Sequence, residues 1–273
     1  MNANKKIPEI VYGTAWKKEN TTPLVVKAIS EGFRAIDTAC QPKHYNEPGV
    51  GEALSILGSQ GIKREDIFLQ TKFTPIDGQD PNRAPYDPSL PLNKQVAQSF
   101  EVSKRNLRTN YVDSLLLHSP LFPYSNLLQV WETMQNIYQE GGAKSIGISN
   151  CYDLNLLKKL YDDATVKPSI VQNRFYEATD YDKDLRSWCN DNGVIYQSFW
   201  SLTANPDILL SPTLMNLAAK YKKTPEQLFF RFLMDSNIVP LTGTTSEIHM
   251  KEDLEVQDIH LSDEDYRLIS ALV

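Results

Sequence analysis

The sequence predicts an α/β protein built as a single (β/α)8 TIM barrel. Short apolar segments alternate with longer amphipathic ones along all 273 residues, eight such pairs can be counted, and no stretch resembles a linker between domains. We therefore expect one barrel domain over residues 1–273. An open, doubly wound sheet is the main alternative, and it is disfavoured because no GxGxxG sequence follows any predicted strand.

Eight short segments have the composition of buried parallel strands. Several are continuous runs of Val, Ile and Leu without alternation of apolar and polar residues, as in strands that are covered on both faces. In chain order they are residues 10–15, 33–39, 67–73, 112–118, 144–150, 169–174, 194–199 and 238–242.

Amphipathic helices are predicted between these strands. Apolar residues recur at three- and four-residue steps over residues 127–138, and Gly141-Gly142 ends that helix. Asp153, Thr224 and Ser262 each precede a similar pattern, in the position of an N-capping residue. The helical periodicity therefore fills the intervals that a barrel requires.

One connection is irregular. Residues 74–91 contain five prolines and cannot form the interior of a helix. They follow the third strand, and long loops after barrel strands usually lie over the active site, so we expect this one there. A plain surface loop is the alternative.

Composition excludes several classes of function. The chain is 41% hydrophobic and 23% charged, with a net charge of −6, so it lacks the strongly basic character of nucleic-acid-binding proteins. No apolar run is long enough to span a membrane, and residues 1–9 lack the apolar core of a signal peptide. The three cysteines form no CxxC pair and the histidines no HExxH motif. We therefore expect a reducing, cytoplasmic location and no metal.

Polar residues close most of the predicted strands, at the end where barrel enzymes carry their chemistry. Asp37, Lys72 and His118 end three adjacent strands; each alone could belong to a structural ion pair, but together they converge on one mouth. Tyr45 follows Asp37 in the next loop. We predict that Lys72 beside an acid lowers the pKa of this tyrosine from its usual value of about 10, with His118 as a neutral hydrogen-bond donor.

The chain resembles the aldo-keto reductases along nearly its whole length. Five short segments carry the resemblance, in the family's order and spacing: GTAW at 13–16, FRAIDTA at 33–39, TKF at 71–73, LLLHSP at 115–120 and SIGISN at 145–150. The resemblance implies an NAD(P)H-dependent oxidoreductase that reduces an aldehyde or ketone by hydride transfer from nicotinamide C4. Within it, Tyr45 would donate the proton, Asp37 and Lys72 would tune its pKa, and His118 would orient the carbonyl.

The resemblance also implies a cofactor site. Ser149, Asn150 and Gln172 match the residues that bind the nicotinamide carboxamide, and Phe199 matches an aromatic residue that stacks on the nicotinamide ring. Other residues at strand ends and in the turn after the last strand are expected to contact the cofactor: Gly13, Thr14, Ala15, Asp37, Trp200, Ser201, Leu202, Leu241, Thr242, Gly243, Thr244, Thr245, His249, Glu252 and Asp253. Aromatic lining for the substrate is expected from Trp16, Tyr86 and Trp200.

Three features depart from the family pattern. Tyr45 lies eight residues after Asp37, further than in relatives, and His44 competes for its role, although only a phenol has both the proton and the geometry. After the eighth strand the Lys-Ser pair and the Arg that hold the 2′-phosphate in relatives are missing, so the hydroxyls of residues 244–246 and helix-start N–H groups are expected to bind it. The chain also ends soon after the last predicted helix, so we expect an open pocket.

These features lead to two functional hypotheses. The first is a carbonyl reductase that prefers NADP(H), with NAD(H) as the alternative cofactor and a small carbonyl compound as substrate. The second is a cofactor-binding barrel that serves as a regulatory or scaffold subunit with little turnover. The intact set of Asp37, Tyr45, Lys72 and His118 favours the enzyme. We expect a monomer or weak homo-oligomer without a nucleic-acid or membrane partner.

Overall fold

The eight predicted strands form one closed parallel barrel in the computed structural model, which describes residues 7–273. Strands pair in chain order, and the first also pairs with the last. They are β1 (Val11–Gly13), β2 (Ala35–Asp37), β3 (Phe68–Phe73), β4 (Ser114–Leu117), β5 (Ile146–Ser149), β6 (Ile170–Arg174), β7 (Ile195–Phe199) and β8 (Ile238–Thr242). The predicted fold class is confirmed, and each strand lies within its predicted segment. The predicted domain includes residues 1–6, and so does the segment that was found to lack the apolar core of a signal peptide. Residues 1–6 lie outside the described residues.

Helices surround the barrel and cover the outward faces of the strands. They are α1 (Thr21–Glu31), α2 (Glu47–Ser59), α3 (Leu92–Leu107), α4 (Tyr124–Gln139), α5 (Leu154–Asp163), α6 (Lys183–Asp191), α7 (Pro206–Leu209), α8 (Pro212–Tyr221), α9 (Pro225–Asp235), α10 (Glu247–Glu255) and α11 (Asp263–Ser270). None of the helices between residues 7 and 273 is long and apolar enough to cross a membrane.

The predicted caps begin these helices. The Asp153 carboxylate accepts hydrogen bonds from two backbone N–H groups of α5, and the Ser262 hydroxyl accepts one in α11. Thr224 and Gln227 form a reciprocal capping box at the start of α9. These bonds satisfy N–H groups that the first turn of a helix leaves without partners, and so they fix where each helix leaves the preceding loop.

The barrel interior is layered, because every second residue of a strand points inwards. The lower layer is apolar and contains Val11, Ala35, Phe68, Leu116 and Ile170. Two residues further along their strands come Asp37, Gln70, Gln172 and Gln197, which form a polar layer. The barrel interior is therefore apolar in its lower layer and polar towards the carboxyl ends of the strands, where the polar layer forms the floor of the site.

The proline-rich loop packs beside this mouth. Gln79 donates to the backbone oxygens of Cys40 and Thr74, and the Tyr86 hydroxyl donates to Thr74 O at 2.8 Å. None of residues 75–91 lines the cavity described below. The loop therefore supports the neighbouring segment after β2 and does not cover the cavity as predicted.

Candidate active site

A cavity of about 910 Å³ opens at the carboxyl ends of the strands, above the polar layer. Its size suits a cofactor together with a small substrate. Most of the predicted site residues line it: Gly13, Ala15, Trp16, Asp37, Tyr45, His118, Ser149, Asn150, Gln172, Phe199, Trp200, Ser201, Leu202, Leu241, Thr242, Gly243, Thr244, His249, Glu252 and Asp253.

Four predicted residues lie outside this lining. Lys72 is 1% exposed and lies beneath the cavity, paired with Asp37. Thr14 is fully buried, and both its N–H and its hydroxyl donate to the backbone oxygen of Asp37, so it serves the barrel rather than a ligand. Tyr86 is held behind the cavity by its bond to Thr74, and Thr245 is exposed on the loop beyond it. The prediction that Tyr86 lines the substrate pocket is therefore wrong.

Asp37 and Lys72 form a buried ion pair at the floor of the cavity. Lys72 Nζ lies 2.6 Å from each carboxylate oxygen of Asp37, and it also donates to Thr38 O at 3.0 Å. All three protons of the ammonium group thus have acceptors, which a buried charge requires.

Two glutamines of the polar layer also donate to Asp37. Gln70 Nε2 and Gln172 Nε2 lie 2.7 and 3.0 Å from its Oδ1, and both also donate to Gln197 Oε1. Gln70 and Gln197 are fully buried. The sequence analysis missed both because they lie inside predicted strands and outside any family motif.

A tight turn places Tyr45 next to the Asp37–Lys72 pair. The N–H groups of His44 and Tyr45 both donate to Gln41 O, which forms one helical turn and absorbs the extra residues after Asp37. The Tyr45 ring then lies 5.3 Å from Lys72 Nζ and 6.0 Å from the His118 ring, measured to its centroid. His44 instead stacks on Trp16 at 3.9 Å between ring centroids.

The Asn-Glu pair after Tyr45 anchors the turn at its other end. Asn46 caps α2 by accepting from Gly49 N, and its amide donates to Lys18 O. The buried Glu47 carboxylate accepts hydrogen bonds from Thr71, Ser103 and Asn106. Burial nevertheless raises the pKa of Glu47. These bonds fix the start of α2 and hence the position of Tyr45.

The pKa of Tyr45 is raised rather than lowered. Burial removes water from the phenolate, and the Asp37 carboxylate disfavours a second negative charge. Lys72 was predicted to lower this pKa, but the prediction is wrong because burial and the Asp37 charge raise it. The phenol accordingly keeps its proton at ordinary pH.

His118 is a neutral imidazole. Its pKa lies well below the usual value because it is buried and because Lys72 and His44 add positive charge nearby. Thr74 Oγ1 lies 2.6 Å from His118 Nδ1. If the hydroxyl donates to Nδ1, the proton of the neutral ring is on Nε2, and the ring can donate to a ligand there. Thr74 was not identified from the sequence.

The remaining polar strand ends are tied to one another. Asn150 Nδ2 donates to His118 O and to Ser149 Oγ, and Ser149 Oγ donates to Gln172 O. These bonds join the ends of β4, β5 and β6 below the cavity. They hold the three predicted carboxamide-binding residues together in the lining.

Comparison with known proteins decides the family. The Aldo/keto reductase family profile matches residues 9–273. The chain belongs to this family. It is 31% identical, over 91% of its length and 82% of the relative's, to YtbE, an uncharacterized oxidoreductase of Bacillus subtilis (strain 168). It is 28% identical to the methylglyoxal reductase DkgA of Escherichia coli (strain K12), over 97% of its length and 90% of the relative's.

A solved structure shares both family and fold. The crystal structure of MGS-M4, an aldo-keto reductase from a Medee basin deep-sea metagenome library, superposes with a TM-score of 0.85. The two are 28% identical, and the match covers 99% of this chain and 93% of the other. The barrel is thus that of an aldo-keto reductase.

In this aldo-keto reductase the side chains of the turn after β8 form hydrogen bonds with the turn itself and with α10. Thr244 Oγ1 accepts from Ser246 N, and Ser246 Oγ accepts from His249 N. The Thr242 hydroxyl donates to the Asp253 carboxylate at 2.7 Å, and burial raises the pKa of Asp253 to about 6. The hydroxyls of Thr244 and Ser246 act only as acceptors in these bonds and keep their protons. Of residues 244–246, which were predicted to bind the 2′-phosphate, only Thr244 lines the cavity.

A lysine from the opposite end of the chain lies against this turn. Lys17 follows the GTAW segment, is 8% exposed, lines the cavity, and donates from Nζ to Gly243 O. Burial lowers its pKa, and no carboxylate of the described residues pairs with it. The sequence analysis missed Lys17 because only the closed barrel brings β1 beside β8.

Proposed function

We propose that this aldo-keto reductase is an NADP(H)-dependent carbonyl reductase that converts an aldehyde or ketone to an alcohol, with Tyr45 as proton donor. The observation that carries the proposal is the set of Tyr45, His118 and the Asp37–Lys72 pair at the floor of a cavity of about 910 Å³. The relative DkgA, named a methylglyoxal reductase, supports carbonyl reduction.

The chain's own groups account for the proton and for orientation. Neutral His118 donates a hydrogen bond to the carbonyl oxygen, which polarises the carbon and fixes its position beside Tyr45. The Tyr45 hydroxyl then protonates that oxygen as negative charge develops on it. The Asp37–Lys72 pair lies beneath the Tyr45 ring, with Lys72 Nζ 5.3 Å from the ring centroid, and holds the floor on which the proton donor rests. A reduced nicotinamide, when bound, supplies the hydride.

The lining also suits the cofactor. Ser149, Asn150 and Gln172 offer polar atoms for a carboxamide, and Gln172 Oε1 is free to accept because its Nε2 is used by Asp37 and Gln197. Phe199 offers a ring face. We propose that Lys17 binds the 2′-phosphate of the cofactor, since it is a buried cation without a carboxylate partner among residues 7–273 and lies beside Gly243. We favour NADP(H) over NAD(H) for this reason.

Turnover tests the catalytic part of the proposal. Purified protein should oxidise NADPH with aldehydes such as methylglyoxal. Tyr45→Phe should lower kcat by about two to four orders of magnitude and leave the dissociation constant of NADPH unchanged. His44→Phe, which retains a ring against Trp16, is the control for the competing residue. Cofactor binding without turnover of any carbonyl would favour the regulatory or scaffold barrel instead.

Calorimetric titration tests the cofactor. Wild-type protein should bind NADPH more tightly than NADH. Lys17→Met should weaken NADPH binding at least about tenfold, whereas Lys18→Met, a change at the exposed neighbour, should not. A loss confined to NADPH assigns Lys17 to the 2′-phosphate, and an equal loss with NADH assigns it to the shared diphosphate. Equal affinity of the wild type for both cofactors contradicts the NADP(H) preference.

Location and assembly remain proposals of the same kind. Cys40, Cys151 and Cys189 are all buried and free, which supports a reducing, cytoplasmic compartment. We retain the prediction of one domain over residues 1–273 and of a monomer or weak homo-oligomer. Size-exclusion chromatography with light scattering measures the latter directly.

A further inference from the structure

Arg174 is a cation on the wall of the cavity that the reaction proposed above does not use. It ends β6, two residues after Gln172, so its side chain leaves the strand on the same inward face. Its strand neighbour on β7 is Phe199. Arg174 therefore lies one step above the predicted carboxamide site and beside the predicted nicotinamide-stacking ring.

The guanidinium group of Arg174 lies against two aromatic rings. It lies 4.4 Å from the centroid of Trp200 and 5.3 Å from that of Tyr176. Neither an ion pair nor a side-chain hydrogen bond joins it to any residue from 7 to 273, although its backbone N–H donates to Tyr152 Oη. The N–H donors of the group are therefore available to a planar anion such as a carboxylate.

The acidic residues of the cavity lining lie apart from Arg174. Glu226, Glu252 and Asp253 come from α9 and α10, at the end where the β8 turn and Lys17 lie. Asp37 at the floor is neutralised by Lys72. Arg174 is thus the unpaired cation at the end with Gln172 and Ser149, which are strand neighbours.

We propose that Arg174 binds a carboxylate of the carbonyl substrate, so that the preferred substrates are aldehydo or keto acids rather than neutral carbonyl compounds. The inference rests on the proposed reductase function and adds the substrate class. A phosphate of the cofactor has the same chemistry, but Lys17 lies nearer the turn assigned to it. Arg174 acts on specificity: it fixes the far end of the substrate while Tyr45 and His118 act on its carbonyl.

Matched acid and ester substrates test the proposal. The pairs are 4-carboxybenzaldehyde with methyl 4-formylbenzoate, and succinic semialdehyde with its methyl ester, because the members of each pair differ only in the negative charge and one methyl group. Wild-type protein should have the higher kcat/KM for the acid of at least one pair. Arg174→Gln should lower that value about ten- to a hundredfold, as expected for loss of a charge-assisted bidentate contact, and leave the ester within about threefold.

Two further variants serve as comparisons for Arg174→Gln. Arg174→Lys keeps the charge without the planar fork and should fall between wild type and Arg174→Gln. Arg105→Gln removes the same charge from an exposed position on α3 and should change neither substrate. An equal loss for acid and ester in Arg174→Gln, or a rise in the dissociation constant of NADPH to match it, overturns the proposal and assigns the anion to the cofactor.

Binding without turnover separates this inference from the reductase function. Titration of 4-(hydroxymethyl)benzoate and its methyl ester into the protein with NADP⁺ should give tighter binding of the acid, lost in Arg174→Gln. If the wild type reduces none of the four aldehydes, acid or ester, the proposed function fails while the titration still decides the role of Arg174. If acid and ester bind alike in wild type and variant, the role of Arg174 is refuted whatever the turnover.

Discussion

The Asp37–Lys72 pair gives the sharpest quantitative prediction, because it is both buried and central to the site. The two residues are 3% and 1% exposed, and Nζ lies 2.6 Å from each carboxylate oxygen. At an effective dielectric constant of about 20, charges at this distance attract by about 6 kcal/mol. Removal of either partner leaves a buried charge uncompensated, at a cost of about 3–5 kcal/mol of stability.

A double-mutant cycle measures this coupling. Asp37→Asn and Lys72→Met should each lower the free energy of unfolding by about 3–5 kcal/mol. The double variant buries no charge, so its loss should be smaller than the sum of the single losses by at least about 3 kcal/mol. The loss in Lys72→Met should lie at the lower end, because Gln70 and Gln172 still donate to Asp37 Oδ1.

Urea unfolding at 25 °C is the assay, with fluorescence and circular dichroism required to give coincident transitions in each variant. The exposed pair Lys159–Asp163, 3.2 Å apart on α5, is the control, and its coupling should stay below about 1 kcal/mol. Single losses that add to within about 0.5 kcal/mol in the double variant would refute the claim that the two charges depend on one another.

Two further predictions concern residues beside this pair. Thr74→Val removes the hydroxyl that contacts His118 Nδ1, and it should lower kcat about tenfold with NADPH affinity unchanged. Thr74→Ser keeps a hydroxyl and should have the wild-type kcat. A wild-type kcat in the valine variant contradicts the tautomer assignment. The pKa of Asp253 is raised to about 6 from about 4 in the unfolded chain, so its contribution to stability is lost as pH rises from 4 to 6. Asp253→Asn should match wild type near pH 4 and be more stable at pH 8 by up to about 3 kcal/mol in urea unfolding; a difference independent of pH argues against it.

The fold and most of the site lining were predictable because they depend on local patterns. Each strand is an apolar run, and Asp37, Lys72 and His118 end their strands at the face where a barrel gathers side chains. The chemistry of the phenol, which has both the proton and the geometry, then favoured Tyr45 over His44. None of these inferences needed knowledge of contacts distant in sequence.

What could not be predicted depends on pairings that only the closed barrel creates. Lys17 meets Gly243 across the junction of β1 and β8, 226 residues away. Tyr86 follows a loop whose path no periodicity specifies. The direction of the Tyr45 pKa shift depended on burial and on the distance of the Asp37 charge, and neither is visible in residue spacing.

The polar layer beneath the cavity is costly for stability. Barrels of this kind are usually filled by bulky branched residues. Here Asp37 shares the layer with Gln70, Gln172 and Gln197, and two amide atoms, Gln70 Oε1 and Gln197 Nε2, have no hydrogen-bond partner among the described residues. Buried amides without partners are less stable than an apolar filling.

Function explains why the layer is polar. Gln70 and Gln172 both donate to Asp37 Oδ1, which lies against Lys72, and Lys72 lies beneath Tyr45. Gln172 also lines the cavity, where we assign it to the nicotinamide carboxamide. One amide thus touches both the proposed cofactor site and the pair beneath the proposed proton donor. An apolar side chain at this position would remove both contacts at once, and we therefore attribute the polar layer to the proposed chemistry.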